Sequence, residues 1–94
     1  MDDELKIVGE RLKALRTERD LTMDMVVNDM KIQFDIEIRR SNLSKWERGI
    51  NIPSLYMAKF LCRYYRVSLD YILGLTDNRA PVELLVKSKK GNKA

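Results

Sequence analysis

The sequence predicts an all-α fold of five helices. Apolar residues recur every three or four positions along most of residues 1–74, and capping residues such as Thr22 and Ser68 stand before two of the runs. Gly49 and Gly74 stand where helices need to stop. A length of 94 residues fits one domain with a modest core.

Asp2 or Asp3 caps a first helix running to about Arg19, with Leu5, Val8, Leu12 and Leu15 as its apolar stripe. Asp20-Leu21 breaks it. Thr22 is the N-cap of a second helix, and Asp24 suits the positive end of its dipole. The stretch after Met30 has two readings. Val27, Met30 and Phe34 keep helical spacing, whereas Ile32, Phe34, Ile36 and Ile38 alternate with polar residues as a strand would. The first is preferred: a helix to Gln33 or Phe34, a turn at Asp35, and Ile36 and Ile38 as buried connector residues. A lone strand would have no partner here.

The third helix, roughly Arg40 to Arg48, has two unlike sides. Leu43 and Trp46 lie three apart and face inward together, while Arg40, Ser41, Asn42, Ser44 and Lys45 point outward. Four basic residues and one acid fall between Arg39 and Arg48. Such a face suits the DNA major groove, where base edges offer distinct donors and acceptors between phosphates. Gly49 to Ile52 leads to a fourth helix with Pro53 in its first turn and Ser54 to Tyr65 following. Leu55, Ala58, Leu61 and Tyr65 form its core stripe, and Cys62 beside them reads as a small buried hydrophobe. Ser68 caps a short fifth helix, Leu69 to Leu73, closed by Gly74. The domain therefore spans residues 1–74. In the tail, 75–94, the apolar stretch 81–86 is a candidate for order and 87–94 reads as disordered.

Composition narrows the functions. The chain has no histidine and one cysteine, which removes histidine-based catalysis and zinc sites and leaves no disulfide. No metal, cofactor or enzymatic activity is expected. The longest apolar run is far short of a membrane span and the acidic start is unlike a signal peptide, so a cytoplasmic location is expected, with no membrane partner. Net charge is +4, yet residues 1–74 carry 13 Lys/Arg against 12 Asp/Glu. Local clustering carries the nucleic-acid argument, and net charge does not.

Three segments together resemble the Cro/cI-type, or XRE, helix-turn-helix family of phage and bacterial repressors. They are Leu12-Lys13-Ala14-Leu15-Arg16 with Leu21-Thr22; Ser41 to Gly49 with Ile52-Pro53-Ser54-Leu55; and Val67 to Gly74. The resemblance implies a five-helix lambda-repressor-like DNA-binding domain with the helix-turn-helix at helices 2–3. It further implies a transcriptional regulator, as a repressor of phage or mobile-element type, bound as a homodimer to a roughly palindromic double-stranded DNA operator. Base contacts are then expected from Arg40, Ser41, Asn42 and Lys45. Phosphate contacts are expected from Thr22, Arg48 and Ser44, with Lys31 and Arg39 added by a lengthened connection between helices 2 and 3. Arg16 and Glu47 match a structural ion pair of the family. Met23 departs from it, standing where a phosphate-binding Gln is usual.

The fourth helix carries a second apolar face, Tyr56, Met57, Phe60 and Tyr64. It is expected to meet a second subunit or the 81–86 segment, the alternative cover being helix 1 or the lengthened connection. The basic end of the tail reads as a solvated terminus, with weak phosphate attraction as its alternative role. The competing function is a protein-interaction module on the same fold, an antitoxin or anti-repressor. The near-neutral charge of residues 1–74 and the missing Gln favour it.

Overall fold

The computed structural model describes residues 3–80. Five helices run in order: α1 (Asp3–Glu18), α2 (Met23–Phe34), α3 (Arg40–Glu47), α4 (Leu55–Tyr65) and α5 (Leu69–Ile72). The all-α, five-helix expectation holds. Their apolar stripes meet in one core containing Val8, Leu12 and Leu15 of α1, Val26 and Met30 of α2, and Leu43 and Trp46 of α3. Leu61 and Tyr65 of α4 and Tyr71 and Ile72 of α5 complete it. Each such side chain removed from water contributes about 1.5–3 kcal/mol before conformational entropy is set against it.

The helix-plus-turn reading of the connector is the one adopted. α2 continues to Phe34, and Asp35 takes the left-handed conformation at φ 57°. Its N–H reaches the Lys31 carbonyl at 3.0 Å, and the Ile36 N–H reaches Met30 at 3.3 Å. That pair of bonds satisfies the last carbonyls of the helix. Ile36 and Ile38 then insert into the core while Ile32 stays exposed.

Three expectations need correction. Pro53 is not in the first turn of α4, because Ser54 is the N-cap and accepts the Met57 N–H. Leu55 is 78% exposed, whereas Ala58, Leu61 and Tyr65 of its supposed stripe are buried. Leu55 opens α4, and side chains tilt toward a helix's N-terminus, so periodicity alone overstates its burial. Cys62 is only partly buried, with its thiol pushed up to about 11 by desolvation, which keeps it protonated and poorly nucleophilic near neutral pH.

Gly9 is a requirement the sequence did not announce. A Cβ built there would lie 2.6 Å from the carbonyl oxygens of both Trp46 and Glu47, so α1 meets the end of α3 backbone to backbone. Gly9→Ala gains helix propensity of about 1 kcal/mol. The clash with two carbonyls outweighs it, and a net loss of about 1–2 kcal/mol is expected in urea unfolding. An equal or higher midpoint would show that the two helices can part without cost.

Tyr65 is 1% exposed, and its buried hydroxyl has no hydrogen-bond partner among the described residues. Burial pushes that phenol above its ordinary range. Tyr65→Phe removes an unsatisfied polar group and keeps the ring, so thermal unfolding is expected to show a gain of about 1 kcal/mol. A loss of stability would mean that the hydroxyl has a partner in solution.

Beyond Gly74, residues 76–79 bond back to the helices. The Arg11 guanidinium donates to the carbonyls of Tyr71 and Thr76 and to the Asp77 carboxylate, and lies 4.2 Å from the Tyr71 ring centroid. Arg79 grips Glu18 through two hydrogen bonds of 2.9 and 2.6 Å, and its carbonyl accepts the Ser68 N–H. The expected apolar 81–86 stretch and disordered 87–94 end lie outside the described residues.

Candidate nucleic-acid interface

α3 is short, eight residues, and is held from within. Leu43 is fully buried and Trp46 is 7% exposed. Glu47 is buried too, and its carboxylate faces the Arg16 guanidinium of α1 at 2.7 Å and 2.9 Å in a two-bond pair. The remaining Arg16 nitrogen donates to the Leu21 carbonyl at 2.8 Å, at the entrance to α2. One guanidinium therefore ties α1, the start of the helix-turn-helix and the end of α3 together. Its planar fork matches a carboxylate in a way a lysine would not. The hydrogen bond to Glu47 raises the Arg16 pKa further.

The outward residues behave differently. Arg40, Ser41, Asn42 and Lys45 are exposed. Arg40 approaches Asp24 of α2 at 3.8 Å, but both side chains are mostly in water, so this pair is worth little. It shows, however, that the start of α3 lies beside the start of α2. Arg39 is the N-cap of α3 without a side-chain capping bond, and its side chain is exposed. Ser44 accepts from the Arg48 guanidinium at 3.0 Å, which orients Arg48 along the C-terminal half of α3.

At the start of α2, the Thr22 hydroxyl accepts the Met25 N–H at 3.1 Å, and the Thr22 N–H reaches back to the Met25 sulfur. The hydroxyl keeps its own proton free to donate. Lys31 lines one groove with Arg39, Val27, Glu37 and Ile38. Its ammonium is held by Asp35 at 2.7 Å and Glu37 at 3.5 Å, and the Asp35 bond raises its pKa while lowering that of Asp35. Asp35, four residues on, is a recognisable helical partner for Lys31, whereas Glu37 reaches it only through the turn.

Arg40, Lys45, Arg48 and the Thr22 cap share the side formed by the start of α2 and the outer face of α3, while Arg39 lines a groove with Lys31 beside the connector. The residues that fix this side lie behind it. A family model described as a helix-turn-helix domain matches residues 9–78. The chain belongs to that family. It is 38% identical over 72 residues to an uncharacterized HTH-type transcriptional regulator, YobD, of Bacillus subtilis strain 168, covering 77% of this chain and 59% of YobD. It is 28% identical over 65 residues to the HTH-type transcriptional activator BcrR of Enterococcus faecalis, covering 69% of this chain and 29% of BcrR. The helix-turn-helix chain thus spans little more than half of one relative and under a third of the other. The structure of the BldD DNA-binding domain of S. venezulae superimposes with a TM-score of 0.63 at 21% identity, covering 77% of this chain and 99% of that one. That likeness supports the lambda-repressor-like, five-helix arrangement. The resemblance to Cro/cI-like domains holds at the level of the helix-turn-helix superfamily.

Proposed function

We propose that this helix-turn-helix chain binds double-stranded DNA in a sequence-specific way and regulates transcription. The observation that carries this reading is the division of labour in α3. Leu43, Trp46 and the Arg16–Glu47 pair hold it in place, while Arg40, Ser41, Asn42 and Lys45 remain exposed on its other side. In this reading Arg40 or Lys45 donates to guanine O6 and N7, and Asn42 makes a two-bond contact with adenine. Thr22, Arg39, Ser44 and Arg48 take phosphates and set the register. Lys31 contributes least, because two carboxylates already offset its charge.

The narrower reading is a repressor of phage or mobile-element type, acting in the cytoplasm by occupying promoter DNA. Two copies would set α3 in successive major grooves about 34–36 Å apart, which calls for a roughly palindromic operator. The residue range 1–74 serves as the reading domain in this proposal. The names of YobD and BcrR support regulation of transcription, and BcrR is named an activator.

Selection of bound sequences from random duplex DNA tests both levels. An enriched palindrome is expected, with half-sites one helical turn apart. An enriched single half-site would remove the dimer. No enrichment at moderate salt would favour the protein-interaction module, whose support is Met23 in place of Gln at the start of α2 and the near-neutral charge of residues 1–74.

A further inference from the structure

The second apolar face of α4 is divided by the fold. Phe60 packs against Phe34 of α2 with ring centroids 5.4 Å apart, and the Tyr64 hydroxyl donates to Asp29 at 2.5 Å. α2 thus covers the middle of the face. Tyr56 is left 59% exposed, its ring 5.1 Å from Phe60. Lys59 lies over both rings, at 5.3 Å and 4.8 Å. At the far end Gln33, Phe34, Arg63, Tyr64 and Arg66 line an open groove between the C-termini of α2 and α4.

Arg63 and Arg66 are exposed, and neither guanidinium has a hydrogen bond or ion pair among the described residues. α4 contains no acid, and the nearby carboxylates Asp29 and Asp35 are engaged by Tyr64 and Lys31. Arg66 also holds the left-handed C-cap of α4 at φ 59°, a conformation that favours glycine. A long cationic side chain in such a place invites a functional explanation.

We propose that this aromatic and basic ledge docks an acidic, apolar peptide segment of a partner protein. Charge complementarity selects the occupant: two free guanidinium forks match carboxylates, and the Tyr56–Phe60–Phe34 row offers apolar area beside them. The ledge runs from Tyr56 to Arg63, about 10 Å along α4, and the groove is open, which suits an extended or helical segment better than a small anion. On the DNA-binding reading above, on which this proposal rests, the groove lies at the opposite end of α2 from the Arg40 contact. Asp24 touches Arg40 at the DNA-facing end of α2, whereas Phe34 lies ten residues further on, about 15 Å away. The regulator would then hold DNA and its partner at once.

The test is selection from a random peptide library displayed on phage, against the full chain. Enriched peptides are expected to combine clustered Asp or Glu with aromatic or aliphatic residues. A synthetic copy is expected to shift the backbone amide NMR signals of Gln33, Phe34, Arg63, Tyr64 and Arg66, and to bind Arg63→Glu/Arg66→Glu at least about tenfold more weakly. Should that variant unfold, Arg63→Gln/Arg66→Gly removes both charges while suiting the backbone, and the same loss is expected. Operator affinity is expected to be unchanged in either variant. Peptides without acids, equal binding by the neutral variant, or NMR shifts confined to α3 would overturn the proposal. So would two other results: the same shifts with inorganic phosphate alone, which assign the groove to a free anion, or a change in sedimentation of the free protein on charge reversal, which assigns it to a second copy.

Discussion

Truncating Glu47 to Ala is expected to destabilise the domain by about 3–5 kcal/mol, the largest effect of any single substitution proposed for this chain. The Glu47 side chain is 2% exposed and that of Arg16 12%, so removing one partner strands the other charge away from water. Domains of this size hold about 5–15 kcal/mol in total, so the loss would take a large share of the folded state. Replacing both partners is a different matter. Arg16→Met/Glu47→Leu leaves no orphan charge and is expected to cost far less in urea unfolding than Glu47→Ala, because the desolvation penalty of both ions disappears with them. The difference between the single and double variants is the diagnostic quantity. Similar losses in both would mean that packing around Glu47, rather than charge pairing, holds α3 in place. The Leu21 carbonyl adds a control: it also depends on Arg16, so the double variant should retain a residual deficit that restoring Glu47 cannot repair.

That pair also marks a limit of what the sequence makes legible. Leu43 and Trp46 declare an inward face by their spacing, Gly49 declares a stop, and Thr22 and Asp35 declare the ends of α2. All of these are local signals, read within one or two turns. Arg16 and Glu47 are 31 residues apart, and no periodicity joins them. Only the family resemblance joins them, because it carries three-dimensional information that a single chain lacks. Arg79 with Glu18 and Arg11 with Asp77, more than 60 residues apart, match no such pattern and have no local signal.

Gly9 illustrates a harder case. Within a helix, glycine reads as a weak point, since it costs stability relative to alanine. Only the closeness of the α3 carbonyls turns it into a requirement, and that closeness is a product of the assembled fold. The same reason explains Leu55 and Tyr65. A stripe shows which side chains share a face, but not where the neighbouring helix ends, nor whether a buried hydroxyl finds a partner. The expected DNA-facing residues were easier to place, because exposure on α3 follows directly from the burial of Leu43 and Trp46. Lys31 was the hard one among them, its charge being offset by a turn that the sequence leaves open to two readings.

Replacing Lys45 by Ala is expected to cost about 1–3 kcal/mol of discrimination between the selected operator and a scrambled duplex. Lys45 is the reader this proposal favours, because it sits between the buried Leu43 and Trp46 and no carboxylate among the described residues pairs with it. Arg40 pairs only weakly with Asp24, so Arg40→Ala is expected to cost a comparable amount where Arg40 reads a base. Arg48→Ala provides the contrast. A phosphate contact weakens both duplexes alike and lowers the salt slope by about one, leaving discrimination unchanged. Lys31→Ala should do neither to a comparable extent, since Asp35 and Glu37 already hold that ammonium. Fluorescence anisotropy on both duplexes across a salt series separates these outcomes. If Lys45→Ala weakens both duplexes equally, Lys45 is a backbone contact and base reading passes to Arg40 and Asn42. If neither Lys45→Ala nor Arg40→Ala changes operator affinity, α3 is not the reading helix, and the exposed face that Leu43 and Trp46 create must serve a protein instead.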